Sequence, residues 1–199
     1  MTEVIHSVDV LAARIEAIAP RGKTRLVAID GRGGAGKSTL AKSVGGRLGA
    51  SVVEVDDFWL VRSVRPGRER VIAEPGSDYD WPRIRDQVLA PLTEDRAARF
   101  QRYDWSTDRL GTWCDVEVGG TVVVEGVFSI RKELAPYYDL TVWVETDEAV
   151  CLTRGIERDG GQHDALWREE WMPAYRNYIE QSRPMDRADI IFTDTEAEE

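Results

Sequence analysis

Five short runs of almost entirely apolar, mostly β-branched residues are spaced along this 199-residue chain. They cover residues 25–29, 51–55, 121–126, 140–144 and 188–192. Runs of this kind are typical of strands that are buried on both faces, as in a parallel sheet. Patterns typical of amphipathic helices lie between them, at 37–48, 81–93 and 147–158. The alternation predicts one α/β domain, spanning residues 1–199, with right-handed crossovers.

The stretch DGRGGAGKSTLAK follows the first apolar run directly. Gly31, Gly36, Lys37 and Ser38 have the spacing of a P-loop, in which backbone N–H groups of a glycine-rich turn surround phosphate oxygens. The helix expected to begin near Lys37 directs the positive end of its dipole toward the same anion. The pattern predicts that a nucleoside triphosphate, ATP, is bound by this loop. The predicted ATP-binding residues are Gly31, Gly33, Gly34, Ala35, Gly36, Lys37, Ser38 and Thr39.

Acidic residues at strand ends complete a predicted phosphoryl-transfer site. Ser38 offers a hydroxyl to Mg²⁺, and Glu125, which ends the third run, has the position of a Walker B carboxylate that holds the same ion. Asp56 and Asp57 follow the second run, at the strand end that faces the phosphate site in this topology. A carboxylate there can accept a proton from an attacking hydroxyl, although each of these acids could instead cap a turn or be solvated.

The segment CLTRGIERDGG is predicted to form a lid over residues 154–168. Arg154 and Arg158 lie four residues apart on one helical face, where they can neutralise charge on a transferring phosphoryl group together with Lys37. Gly160 and Gly161 would let the segment close. The alternative is a pair of solvated arginines at the end of a helix.

The region 95–120 interrupts the alternation and is predicted to carry a substrate hairpin. Its two runs, at 100–105 and 113–119, read as antiparallel strands joined by STDRLGT. An excursion of this kind commonly lies over the strand ends where ligands bind, and its aromatic residues favour contact with a flat molecule. A surface hairpin without a ligand is the alternative. A further aromatic stripe, Trp167 to Tyr178, has helical spacing and is interpreted mainly as core.

With these motifs the chain resembles the P-loop nucleoside kinases, namely the uridine–cytidine kinases and the nicotinamide riboside kinases. The resemblance runs from residue 25 to 193 and implies a doubly wound five-stranded parallel sheet in the order 2-3-1-4-5. In DDFW it implies that Asp56 is the catalytic base. It also implies an acceptor pocket, in which either Asp80 or Asp78 binds the acceptor. The residues expected in that pocket are Asp57, Tyr79, Asp80, Tyr103 and Trp105.

The activity expected from the motifs and the resemblance is Mg²⁺-ATP-dependent phosphoryl transfer to a hydroxyl of a small molecule, with a nucleoside or riboside as the expected acceptor. Two alternatives stay open. One is a kinase whose acceptor already carries phosphate, which would dock on the four arginines of the loop 62–70. The other is a switch that hydrolyses ATP without an acceptor.

The net charge and the cysteine content limit the partners and the cellular compartment that we expect for this chain. The formal net charge is −10, which argues against a nucleic-acid polymer or an anionic membrane surface as the main partner. Only two cysteines occur, far apart, which fits a reducing cytoplasm. Residues 1–20 are expected to form an amphipathic helix, and residues 194–199 are expected to fray. Whether the chain forms a homo-oligomer is left open.

Overall fold

The computed structural model describes residues 2–193, so the predicted fraying of 194–199 lies outside the described residues. Within residues 2–193 the strands are β1 (Glu3–Ile5), β2 (Thr24–Gly31), β3 (Ser51–Glu54), β4 (Ala98–Asp104), β5 (Arg109–Val116), β6 (Gly120–Glu125), β7 (Leu140–Glu145) and β8 (Ile190–Thr193). The α-helices are α1 (Val8–Glu16), α2 (Lys37–Leu48), α3 (Arg68–Ala73), α4 (Trp81–Ile84), α5 (Ala90–Thr93), α6 (Glu148–Arg158), α7 (Asp164–Leu166), α8 (Met172–Ser182) and α9 (Pro184–Arg187).

Six strands form one parallel sheet in the order β3-β6-β2-β7-β8-β1. The five apolar runs occupy adjacent positions β3-β6-β2-β7-β8 of this sheet. The predicted count of five strands is wrong, because β1 adds a sixth strand beside β8. An α/β domain with a parallel central sheet is confirmed.

The first 20 residues do not form one helix. Residues Glu3–Ile5 are extended and pair with β8, with Glu3 opposite Ile190, and α1 covers only Val8–Glu16. The apolar side chain of Ile5 is buried in the sheet, whereas Leu11 and Ile15 of α1 pack on one sheet face. Pairing with a strand at the far end of the sequence therefore overrides the local helical pattern.

The central strand β2 is buried on both faces, as its sequence predicts. Leu26 and Ala28 contact the core beneath the hairpin and α8, whereas Val27 and Ile29 contact the core beneath α1 and α2. This alternation follows from the two-residue period of a strand. It fixes the carboxyl end of β2, where the P-loop begins, at the centre of the sheet edge.

The hairpin is present but its second strand begins earlier than predicted. Strand β5 starts at Arg109 rather than at residue 113, and Tyr103 pairs with Leu110. Asp104 accepts hydrogen bonds from the backbone and hydroxyl of Ser106, which tightens the turn. Asp108 takes a left-handed φ of 53°, so four residues suffice to connect the strands.

Candidate active site

The P-loop links the end of β2 to the start of α2 and is packed too tightly for side chains at Gly33 and Gly34. Gly36, which precedes the helix, has a φ of 93°. Gly34 has a φ of 81°, and a Cβ there would overlap the carbonyl oxygen of Cys151 in α6. A Cβ at Gly33 would stand 2.8 Å from the Tyr175 hydroxyl. Glycine is therefore required in this loop both for its backbone conformation and for close packing.

A cavity of about 810 Å³ lies over the P-loop, and most of the site residues predicted from the sequence line it. Those that line it are Gly33, Gly34, Ala35, Gly36, Lys37, Ser38, Thr39, Asp56, Tyr79, Trp105, Glu125, Arg154 and Arg158. Gly31, Asp57, Asp80 and Tyr103 do not line it.

Lys37 is buried at the floor of this cavity. Its Nζ donates to the carbonyl oxygen of Arg32 in the same loop at 2.7 Å. Burial lowers the pKa of the Lys37 ammonium, while the negative charges of Glu125, Asp30 and Asp56 act in the opposite direction. These carboxylates favour the charged form of Lys37, and an ammonium group at the floor of the cavity can pair with phosphate oxygens.

Glu125 and Ser38 provide oxygen donors that fit a magnesium ion. Glu125 is 4% exposed; burial raises the pKa of its carboxyl, and Lys37 and the Ser38 hydroxyl oppose the rise. Mg²⁺ prefers one or two protein oxygens and completes its shell with phosphates and water. No group of three or more acidic, His or Cys side chains able to hold a metal occurs within residues 2–193.

The consecutive residues Asp56 and Asp57 have different surroundings. Asp56 is exposed in the cavity and accepts a hydrogen bond from the Tyr79 hydroxyl at 3.2 Å. Asp57 is buried and accepts from Arg102 Nε of β4 at 2.9 Å. Burial raises the pKa of Asp57, and its bond to Arg102 opposes the rise. The turn Val55–Phe58 therefore presents one carboxylate to the cavity and uses the other to hold the hairpin.

Two other predicted acceptor residues make structural contacts. Asp80 precedes α4, accepts from the backbone N–H of Arg83 and pairs with the Arg83 guanidinium at 3.2 Å. Tyr103 is buried and donates its hydroxyl hydrogen to Asp108 at 2.7 Å. Asp78, the rival of Asp80, is 3% exposed, and burial raises the pKa of its carboxyl to about 7.

Aromatic rings form the wall of the cavity on the hairpin side. Trp105 is 62% exposed, and its ring lies 5.5 Å from that of Trp59. Trp59 in turn contacts Tyr79 edge-on at 4.6 Å, and Tyr103 contacts Trp105 edge-on at 5.0 Å. A broad exposed indole held by buried rings can stack on a flat ligand.

Three of the four arginines in the loop 62–70 pair with acidic side chains of the same chain, two of them at the surface. Arg65 lies over the Trp59 ring at 4.9 Å and stands 3.6 Å from Asp108. Arg68 pairs with Glu169 at 2.8 Å, and Arg70 pairs with Glu74 at 2.9 Å. Guanidinium groups already paired with acids do not offer a ready docking site for an acceptor phosphate.

A family model described as Phosphoribulokinase / Uridine kinase family matches residues 26–198. The chain belongs to this family. A uridine kinase of Halobacterium salinarum is 31% identical over 139 residues, which are 67% of this chain and 61% of that protein. A uridine kinase of Schizosaccharomyces pombe is 24% identical over 189 residues, 86% of this chain and 41% of that protein. The chain thus spans less than two thirds of either relative.

A solved structure has the same fold as this member of the phosphoribulokinase/uridine kinase family. It is described as a possible uridine kinase from Bacillus stearothermophilus and superposes with a TM-score of 0.72 at 22% identity, over 93% of this chain and 96% of that one. None of the helices in the described part of the chain has the length and apolar character needed to cross a bilayer.

Sequence reasoning missed the role of Asp30, which directly precedes the P-loop in this chain. Its fully buried carboxylate accepts from the N–H groups of Gly31, Phe128 and Ile130 and from the Tyr178 hydroxyl. A charged residue within an apolar strand was the available signal, because such a residue requires partners.

Proposed function

We propose that this chain is an ATP-dependent kinase that transfers phosphate to a hydroxyl group of a nucleoside or riboside. The observation that carries the proposal is the meeting of Lys37, Glu125 and Asp56 in one cavity between the P-loop and an aromatic wall. The uridine kinases among its relatives support a nucleoside-type acceptor.

The proposed donor site is formed by the P-loop. Backbone N–H groups of the loop and the start of α2 hold the phosphates of ATP, and Lys37 contributes a positive charge at the floor. Ser38 and Glu125 would hold Mg²⁺, which when bound offsets phosphate charge and orients the γ-phosphate. Arg154 and Arg158, which also line the cavity, would stabilise the charge that develops during transfer.

The proposed general base is Asp56. It is exposed to the cavity, so it can reach an acceptor hydroxyl, and its hydrogen bond from Tyr79 fixes its orientation. In the transfer the hydroxyl oxygen forms the new bond to phosphorus, its proton passes to Asp56, and ADP leaves. The ring of a riboside acceptor would stack against Trp105.

The test compares the two consecutive aspartates. ADP release is measured with Mg²⁺-ATP against uridine, cytidine, nicotinamide riboside, pantothenate, free sugars and nucleoside monophosphates. With the acceptor that supports turnover, we expect Asp56→Asn to lower kcat by about 10²- to 10⁴-fold, the usual contribution of a general base. Its affinity for ATP, measured by calorimetry, should stay within about twofold.

Asp57→Asn is the matched control, since it removes a charge one residue away but outside the cavity. We expect it to keep at least about a tenth of the turnover, because Asp57 acts through the hairpin. Loss of ATP affinity in parallel with activity in Asp56→Asn would refute its role as base. ADP release independent of every acceptor would refute the kinase proposal and favour a hydrolytic switch.

A further inference from the structure

One buried indole, that of Trp167, lies between the P-loop and helix α6. Trp167 is 1% exposed. A Cβ added to Gly155 of α6 would stand 2.5 Å from the indole ring, and one added to Gly33 of the P-loop would stand 2.9 Å from it. Because glycines on both sides leave their side-chain space to the indole, the backbone of two separate elements fixes its position.

Asp159 connects this indole to the cavity arginine Arg158. The indole N–H of Trp167 donates to Oδ2 of Asp159 at 2.8 Å, and Oδ1 of the same carboxylate accepts from Nε of Arg158 at 3.0 Å. The guanidinium of Arg158 also lies 5.7 Å from the centre of the Trp167 ring. The half-exposed ring of His163 approaches Asp159 Oδ2 at 3.6 Å.

Arg158 depends on this connection for its direction. Its side chain is 65% exposed, and a long exposed arginine samples many rotamers unless neighbours restrict it. Asp159, by contrast, is 16% exposed and is held by the fixed indole. The Nε bond and the indole face therefore restrict a guanidinium that lines the cavity.

We propose that Trp167 and Asp159 are positioning residues that orient Arg158 toward the transferring phosphoryl group and link that orientation to Gly33 of the P-loop. This inference rests on the proposed function, since it concerns charge that develops during transfer. An interaction realised mainly in the transition state affects kcat rather than substrate affinity. Removing the link should therefore slow turnover while ATP still binds.

The test variant is Trp167→Phe, which keeps an aromatic ring and removes the indole N–H. We expect kcat to fall about tenfold, the effect of losing one hydrogen bond to a charged group, with the KM for ATP within about twofold. Trp143→Phe is the matched control: Trp143 is also 1% exposed, and its indole N–H donates to Glu145 Oε2 at 2.6 Å. We expect this control to lose stability but to keep its kcat within about twofold.

A double-mutant cycle with Arg158→Ala separates positioning from a structural role. If Trp167 acts through Arg158, Trp167→Phe has no further effect on kcat once the arginine is absent. Independent, multiplying losses in the double variant would overturn the proposal. An equal loss of kcat in Trp143→Phe would overturn it as well.

A second measurement does not require an acceptor. Since Gly33 contacts the indole, Mg²⁺-ATP binding to the P-loop should change the tryptophan fluorescence of the wild-type chain. Trp59, Trp105 and Trp171 also line the cavity, so we expect the change to be smaller in Trp167→Phe than in the wild-type chain and to be kept in Trp143→Phe. If no acceptor supports turnover, the proposed function fails while this signal still tests the link to the P-loop; a signal unchanged in Trp167→Phe would refute that link.

Discussion

Replacing the fully buried Asp30 is expected to destabilise the fold and the phosphate site together. Its Oδ1 accepts from the N–H groups of Gly31 at 2.7 Å and Phe128 at 3.0 Å. Its Oδ2 accepts from the N–H of Ile130 at 3.0 Å and the hydroxyl of Tyr178 at 2.8 Å. These donors belong to the P-loop, the segment after β6 and helix α8, so one carboxylate joins three elements around the cavity.

The size of the effect follows from the number of donors left without an acceptor. Tyr178→Phe removes one hydrogen bond to a charged group and should lower the free energy of unfolding by about 1.5–3 kcal/mol. Asp30→Ala leaves four buried donors unpaired, at about 1–3 kcal/mol each, but also removes the cost of burying a charge. We expect a net loss of about 4–7 kcal/mol, with Asp30→Asn between the two.

Urea unfolding followed by far-UV circular dichroism measures these differences. The m-value should stay constant across the series, so that shifts of the midpoint report stability alone. Asp115→Ala serves as the control, because that side chain is 63% exposed and should change stability by less than about 0.5 kcal/mol. A loss in Asp30→Ala no larger than that in Tyr178→Phe would refute the reasoning, and Asp30→Asn keeps the test open if the alanine variant does not fold.

Two further perturbations have defined outcomes. Burial raises the pKa of Asp78 from 3.8 to about 7, so the folded chain keeps a proton that the unfolded chain releases, and stability falls as pH rises through this window. Asp78→Asn should remove this pH-dependent loss of unfolding free energy, which reaches up to about 4 kcal/mol above pH 8. Urea unfolding at a series of pH values measures the loss, and a pH profile equal to that of the wild-type chain would contradict the prediction. Arg102→Ala breaks the 2.9 Å pair with Asp57 that holds the hairpin. It should raise the KM for the acceptor about tenfold and leave ATP affinity unaltered, and a larger effect on ATP than on the acceptor would contradict this.

The sequence predicted the elements whose signals are local. The P-loop motif placed the start of α2 at Lys37, and the apolar runs located the central strands. Strand β1 was missed because three residues carry little pattern and its partner, β8, begins at Ile190. Only the folded sheet brings these two segments together.

Side-chain direction was the second limit on prediction. A position at a strand end indicates the edge of the sheet but not which way the side chain turns, so only the family resemblance, and not the pattern itself, distinguished Asp56 from Asp57. Trp167 shows a related limit. Helical spacing indicated the core, and Trp167 is indeed buried, yet it also belongs to the lining of the cavity. A large ring can serve both environments at once.

The turn Val55–Phe58 gives the proposed general base and the hairpin a common support. Asp56 faces the cavity, and Asp57, one residue later, holds β4 of the hairpin through Arg102. An acceptor that orders the hairpin would therefore also order the backbone beneath Asp56. Thermodynamic linkage then requires reciprocity: if the acceptor tightens ATP binding by some factor, ATP tightens acceptor binding by the same factor. Any coupling carried by this turn should therefore appear with the same factor in the two binding constants, whichever substrate is added first.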